Sequence, residues 1–364
     1  MDKENRQTYS AKLDQPEPQL RFLRACRGLK VDATPVWFMR QAGRYLPEYR
    51  AIREKYSLLE ICQTPNLAAE VTIQPIRRFN FDAAILFADI LLPVAALGLH
   101  LDFTAGEGPY ITPQIQSRED IRKICSFTPQ MNFEYQAEAI RIIHNELGKI
   151  PLIGFCGAPF TVASYLLEGG STKNFIKTKQ WMYAAPALFM ELMDKLAEVL
   201  IAYLSLQIEA GVEAVQLFDS WVGVLSPSDY ERFVLPYSQR LIGAARSYGI
   251  PLIHFGTDTA TLLPLMKKAG GDVMGVDWRI PLDVAWEWLG SDWAIQGNLD
   301  PVALLAPRDE LKARVWEVLQ RAGGRPGHIF NLGHGILPNT PVDNVQAVVD
   351  WVHEFSAKSN QENE

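Results

Sequence analysis

Residues 35–50 read Pro-Val-Trp-Phe-Met-Arg-Gln-Ala-Gly-Arg-Tyr-Leu-Pro-Glu-Tyr-Arg, and this one stretch contains the unit from which the fold is built. An apolar run suited to a buried strand gives way to a glycine-containing turn that carries Arg40 and Arg44, and Pro47 then opens a helix. Guanidinium groups stay charged and present a rigid fork of donors, so two of them at the carboxyl end of a strand fit carboxylates or phosphates. The plainer alternative makes both arginines surface residues, with Arg44 paired to Glu48 one helical turn on.

Seven further apolar runs, each followed by a helical pattern, extend outward from this stretch: residues 82–89, 151–155, 214–218, 251–255, 273–278, 293–297 and 328–332. Parallel strands need long crossovers, and eight strand–helix units are what a single α/β domain of the (β/α)8 TIM-barrel type requires. A doubly wound sheet has the same alternation. The barrel is preferred because polar residues fall at the run ends: Arg40, Asp89, Asp219-Ser220, Asp277, Asn298 to Asp300, and His334. A barrel gathers such ends at one mouth, whereas an open sheet spreads them along an edge. Residues 18–29 predict a helical extension before the first strand, and the alternation at 99–103 predicts a small hairpin inserted after the second. Ser57 with Glu60 has the spacing of a capping box. The expected organisation is a disordered arm over 1–19, one catalytic domain over 20–357 and a polar tail over 358–364.

Composition narrows the function. A formal net charge of −7 argues against nucleic-acid or membrane-surface binding, yet residues 21–55 hold nine basic side chains against three acidic ones. A local excess of this kind suits a small polyanion. No run of eighteen apolar residues occurs, and the first nineteen residues lack the apolar core of a secretion signal. Cys26, Cys62, Cys125 and Cys156 are scattered, which predicts buried free thiols and a cytoplasmic enzyme.

Each candidate at the mouth has a plain reading beside a functional one. Asp89 either caps a turn through backbone N–H groups or presents an ionised carboxylate to a ligand; beside two arginines its pKa is expected to be low. His334, in Asn331-Leu-Gly-His-Gly335, either satisfies backbone carbonyls or faces a ligand between glycines that permit close approach. Ser220 is a turn cap or a hydroxyl that donates to a carboxylate, and Tyr165 a core ring or a donor in the pocket wall. His254 reads as a lining or core residue. No metal-ligand spacing, dinucleotide fingerprint or phosphate loop is present, so no metal or cofactor is expected.

With these residues in view, the chain resembles the uroporphyrinogen decarboxylase family of haem and chlorophyll biosynthesis. One signature is residues 35–44; the other is Gly154-Phe-Cys-Gly-Ala-Pro-Phe-Thr-Val-Ala-Ser-Tyr-Leu-Leu-Glu-Gly169. The likeness continues through Leu86-Phe-Ala-Asp89, Gln216-Leu-Phe-Asp-Ser220 and Asn331-Leu-Gly-His-Gly335, so that it spans about residues 20–357. It implies a TIM barrel, a homodimer, and cofactor-free removal of the four acetate carboxyls of uroporphyrinogen III to give coproporphyrinogen III. It further implies that Asp89 accepts hydrogen bonds from the pyrrole N–H groups and that the loop Arg40, Gln41, Ala42, Gly43, Arg44 binds substrate. Arg40 would be a candidate proton donor. Tyr165, Ser220 and His334 would position side chains, with Phe218 against the macrocycle. The loop after Gly170, Ser171-Thr172-Lys173, has no assigned contact. Two rivals share the resemblance: a methyl-transferring relative, which would bind zinc through a His-x-Cys after strand five and a Cys after strand eight, and a catalytically silent tetrapyrrole carrier. The first meets His254-Phe-Gly256 and Asn331-Leu-Gly333 at those places.

Overall fold

The computed structural model describes residues 18–95, 97–104, 108–124 and 129–362. Its main sheet has seven parallel strands in the order β1 (Ala84–Ile85), β4 (Leu152–Gly157), β5 (Ala214–Asp219), β6 (Leu252–Gly256), β7 (Val273–Gly275), β8 (Ala294–Gln296) and β9 (His328–Ile329). The intervening β2 (His100–Thr104) and β3 (Gly108–Thr112) form the expected antiparallel hairpin. Every strand of the main sheet pairs with the next in chain order, as right-handed crossovers by helices require.

The stretch at 35–39 does not form the full strand expected of it. It contributes one parallel bridge, Val36 to Phe330, with the Phe330 N–H donating to the Pro35 carbonyl at 2.8 Å. On its other side the Asp82 N–H donates to the Val36 carbonyl at 2.9 Å. The segment thus sits between β9 and the entry to β1 and spans the seam by one bridge, so the curled seven-stranded sheet is not closed by a continuous ladder. The reasons are local: Pro35 has no N–H, the Val36 N–H is taken by the Asp82 carboxylate at 2.7 Å, and the chain turns at Arg40.

Shortness elsewhere is compensated by side chains. Because β1 covers only Leu152 and Ile153 of β4, the backbone of Phe155 has no strand partner on that side. Gln207, on the long helix Pro186–Ala210, supplies it: its amide accepts from the Phe155 N–H and donates to the Phe155 carbonyl, both at 2.9 Å. Inside the ring, the buried Trp37 indole donates to Gln296 at 3.0 Å, and Gln296 donates to Gln216 at 3.0 Å. Gln296 and Gln216 belong to non-adjacent strands, so this chain crosses the barrel interior. Gln216 therefore points inward, and Phe218 shares its face while Leu217 and Asp219 point to the helices.

Sequence signals for the helices hold at several ends. Ser57 and Glu60 form both hydrogen bonds of the capping box, and Pro47 opens the helix Pro47–Arg53. The N-terminal extension is a 3-10 turn, Pro18–Leu20, and a short helix, Arg21–Ala25, packed beside β9. The helix Val342–Glu362 runs through most of the stretch expected to be a polar tail. The expected arm lies outside the described residues up to position 17, as does Cys125; the other three cysteines are buried and free. No helix among the described residues is long and apolar enough to cross a membrane.

Candidate active site

The loop after Val36 is held from beneath. The Met39 N–H donates to the Asn331 side chain at 3.2 Å, and the Ile336 N–H donates to the Met39 carbonyl at 3.0 Å, so the first motif and the Asn331 to Gly335 motif interlock. Arg40 adopts φ +61°, a left-handed conformation that costs a non-glycine residue roughly 1 kcal/mol and is typical of ligand-binding turns. Its side chain lies directly over Gly335, where a Cβ would stand 2.5 Å from Arg40 Cδ; only glycine admits that approach. Among the described residues neither Arg40 nor Arg44 has a side-chain hydrogen bond or ion pair. Both arginines are exposed, and Glu48 pairs with Arg78, so the Arg44–Glu48 ion pair of the plain reading is not formed. The N–H groups of Ala42, Gly43 and Arg44 also lack partners among the described residues. Gln41 is different. Its side chain is buried, accepting from the Phe38 N–H and donating to the Ala83 carbonyl, both at 3.1 Å, so its amide is engaged in bracing the loop.

Asp89 follows β1. Its Oδ1 accepts from the Leu91 N–H at 2.8 Å, which is the turn-capping role, and Oδ2 is left over for the functional one. The expectation of a low pKa is overturned. Burial raises it, and neither the Leu91 N–H nor the nearby Arg40 charge offsets the loss of water. Burial and the Asp89 charge push the Tyr165 phenol up to about 12, with Arg40 acting in the opposite direction. For His334, burial and Arg40 lower the pKa to about 4, so the imidazole is neutral near pH 7. The Gly335 N–H donates to His334 Nδ1 at 2.7 Å, which leaves Nε2 as the protonated nitrogen and makes the ring a neutral donor. Arg40 is thus within electrostatic reach of Asp89, Tyr165 and His334 together.

One wall is aromatic. Phe218, on the inner face of β5, meets Phe155 and Phe255 edge-on at 5.4 and 5.8 Å, and Phe255 approaches the His334 ring at 6.5 Å. Tyr165 stacks on Trp221 with ring centroids 3.8 Å apart. Ser220 precedes that tryptophan; its carbonyl accepts from the Thr257 hydroxyl at 2.5 Å, while its own hydroxyl has no partner among the described residues.

Other run-end residues serve the scaffold. Asp300 caps the 3-10 helix Pro301–Leu305, and the Asn298 amide donates to the carbonyls of Asp277 and Ile280. His254 is buried on the helix side of β6, with its pKa lowered to about 4 by burial. Two side chains at the site were not assigned roles from sequence. Trp221 backs Tyr165. Arg279 stacks over Trp278 at 4.2 Å, pairs with Asp258 at 2.8 Å and Asp277 at 2.5 Å, and adds to the field on His334. A Trp-Arg pair directly after the strand-end acid Asp277 was the available signal.

The family model for uroporphyrinogen decarboxylase (URO-D) matches residues 17–355. The chain belongs to the uroporphyrinogen decarboxylase family. The uroporphyrinogen decarboxylase of Carboxydothermus hydrogenoformans is 53% identical over 342 residues, covering 94% of this chain and 98% of its own length. That of Sorangium cellulosum is 54% identical with the same coverage. Among solved structures, a methyltransferase from Methanosarcina mazei superposes with a TM-score of 0.79 over 94% of this chain and 99% of its own, at 21% identity. That likeness concerns the fold. Within the uroporphyrinogen decarboxylase family this chain carries Phe255-Gly256 after His254 and Leu332-Gly333 after Asn331, with no thiolate at either place. Among the described residues no group of three or more His, Cys, Asp or Glu side chains is arranged to hold a metal.

Proposed function

We propose that this chain is a carboxy-lyase that removes the acetate carboxyl groups of uroporphyrinogen III as carbon dioxide, leaving methyl groups and yielding coproporphyrinogen III. The observation that carries the reading is one loop whose two guanidinium groups and three N–H groups have no partner among the described residues, set beside a desolvated carboxylate. The loop matches peripheral carboxylates, of which the substrate has eight. The carboxylate matches the pyrrole N–H donors at the macrocycle's centre.

The chemistry follows from these charges. Protonation of a pyrrole ring carbon gives a cation whose C=N+ bond accepts the electron pair released when the acetate C–C bond breaks. Carbon dioxide leaves, and an exocyclic methylene remains. Protonation of that methylene, with loss of the ring proton, restores the aromatic pyrrole; the balance is one proton taken up per carboxylate lost. The protonated pyrrole is its own electron sink, so no cofactor is needed for electron balance. Asp89, ionised and receiving N–H bonds, stabilises the cation in a site where water does not compete. Substrate binding favours that ionised state, because hydrogen bonds to a carboxylate lower its pKa. Arg40 holds a carboxylate and is the candidate proton donor, directly or through a water, since guanidinium by itself is a very weak acid. Arg44 and the N–H groups of Ala42 and Gly43 hold a second carboxylate; Tyr165, Ser220 and neutral His334 donate to others, and Phe218 packs on the macrocycle. The same reading includes a cytoplasmic enzyme that works as a homodimer, which sedimentation at several concentrations tests.

Anaerobic incubation with uroporphyrinogen, followed by oxidation and separation of products by carboxyl count, tests the activity. Products with seven, six, five and four carboxyls are expected. Unchanged eight-carboxyl substrate that nonetheless binds tightly would favour the silent carrier.

A further inference from the structure

Phe218 and Ser220 line the mouth, but Asp219 between them faces the helices. It is fully buried. Its Oδ1 accepts from the Thr161 hydroxyl at 3.0 Å, and its Oδ2 has no partner among the described residues. The same Thr161 oxygen accepts from the Trp221 backbone N–H at 3.3 Å. Thr161 lies on the helix Pro159–Glu168, one turn before Tyr165, and the Trp221 ring is stacked on Tyr165 while Phe175 abuts it edge-on at 5.1 Å. One hydroxyl therefore links a buried acid to the turn that backs the Tyr165 wall.

The direction of the hydrogen bonds depends on the acid. An ionised carboxylate only accepts, so Thr161 must donate to it and keeps its lone pairs for the Trp221 N–H. A protonated carboxyl can donate to Thr161 instead, and the hydroxyl, no longer polarised by an anionic partner, becomes a weaker acceptor for the Trp221 backbone N–H. We propose that Asp219 is a positioning residue for the decarboxylation, which through Thr161 fixes Trp221 behind Tyr165 and so sets the pocket wall. It makes no contact with substrate. Its surroundings make the link responsive to pH: burial raises the carboxyl to about 7, against the opposing Thr161 bond. The helix Pro159–Glu168 presents Thr161 to it, and the helix Pro227–Phe233 presents the Tyr230 phenol, itself adjacent to Ser238 of the helix Leu235–Arg246. None of these is charged near neutrality, since burial holds Tyr230 far above its usual range.

The proposal rests on the reading of Tyr165 as a substrate-positioning group, and its test separates the two. The full chain is labelled with 5-fluorotryptophan, the Trp221 resonance is assigned with Trp221→Phe, and fluorine NMR is followed from pH 5.5 to 8.5 without substrate. The resonance is expected to titrate with a midpoint near 7, to be flat in Asp219→Asn, and to lose most of its shift in Thr161→Val, whose valine is isosteric. With uroporphyrinogen, Thr161→Val should lower kcat/KM roughly tenfold, the worth of one hydrogen bond, at unchanged circular dichroism. In Asp219→Asn the limb of the kcat/KM profile near pH 7 should be absent. A Trp221 resonance that does not move in the parent, or moves equally in Asp219→Asn, overturns the proposal. A resonance that titrates as expected in a chain that does not consume uroporphyrinogen supports the link and removes the assigned activity instead.

Discussion

Replacing Asp89 by asparagine separates charge from shape at the centre of the proposed mechanism. The asparagine oxygen can keep the Leu91 N–H bond at 2.8 Å, so the turn into the helix Leu92–Ala95 survives. The NH2 group then stands where Oδ2 was and meets the pyrrole N–H groups donor to donor. A unit negative charge about 4 Å from a unit positive charge is worth roughly 4 kcal/mol at an effective dielectric of 20, or about a thousandfold in rate. Loss of one neutral hydrogen bond would cost only about tenfold. Folding should respond in the opposite sense. Because burial raises the Asp89 pKa, the ionised acid is a strained occupant, and a neutral isostere should leave thermal stability unchanged or higher. Asp89→Glu keeps the charge one methylene out of place and should retain more activity than the asparagine variant. The assay is single-turnover decarboxylation under anaerobic conditions beside a melting curve. An Asp89→Asn protein that binds substrate and reacts within tenfold of the parent would falsify the electrostatic role.

Arg40→Ala should fold normally, since the side chain is exposed and has no partner among the described residues, and should lose two or more orders of magnitude in kcat/KM. Gly335→Ala puts a methyl 2.5 Å from Arg40 Cδ; displacement of that flexible side chain should cut activity at nearly constant stability, and a drop in stability at full activity would count against it. Stability should fall as the pH drops from about 6.5 toward 4.5. Burial holds His254, His328 and His334 at about 4, so the unfolded chain binds up to three more protons there, while Asp219, raised to about 7, lets the folded chain bind one more. A net excess of one to two protons on the unfolded chain gives roughly 1 to 3 kcal/mol per pH unit, measurable as urea midpoints, and Asp219→Asn should steepen it. Turnover should survive exhaustive chelation and dialysis; loss that zinc restores would favour the methyl-transferring relative.

The sequence by itself determined the barrel and most of its mouth. Apolar runs spaced by helical patterns leave parallel pairing as the economical arrangement, and a polar residue at the end of each run is carried to the same rim whatever the details of packing. Arg40, Asp89 and His334 come together for that reason, whereas Tyr165 reaches them from the helix Pro159–Glu168, and the capping box at Ser57 was legible because it depends only on neighbours in the chain. Tertiary structure decided what depends on distant groups. Whether residues 35–39 made a strand turned on the Asp82 carboxylate taking the Val36 N–H, 46 positions away. Whether Arg44 was free turned on Arg78 claiming Glu48. The Asp89 pKa was misjudged because charge neighbours can be counted in a motif, whereas desolvation is set by every segment that closes over the site. For the same reason Gln41 reads in the motif as a ligand group while its buried side chain braces the loop, and Asp219 reads as part of the mouth but faces away from it. In a strand, one residue's shift in register reverses the face, and which face meets helices or substrate is fixed only when the sheet curls into a ring.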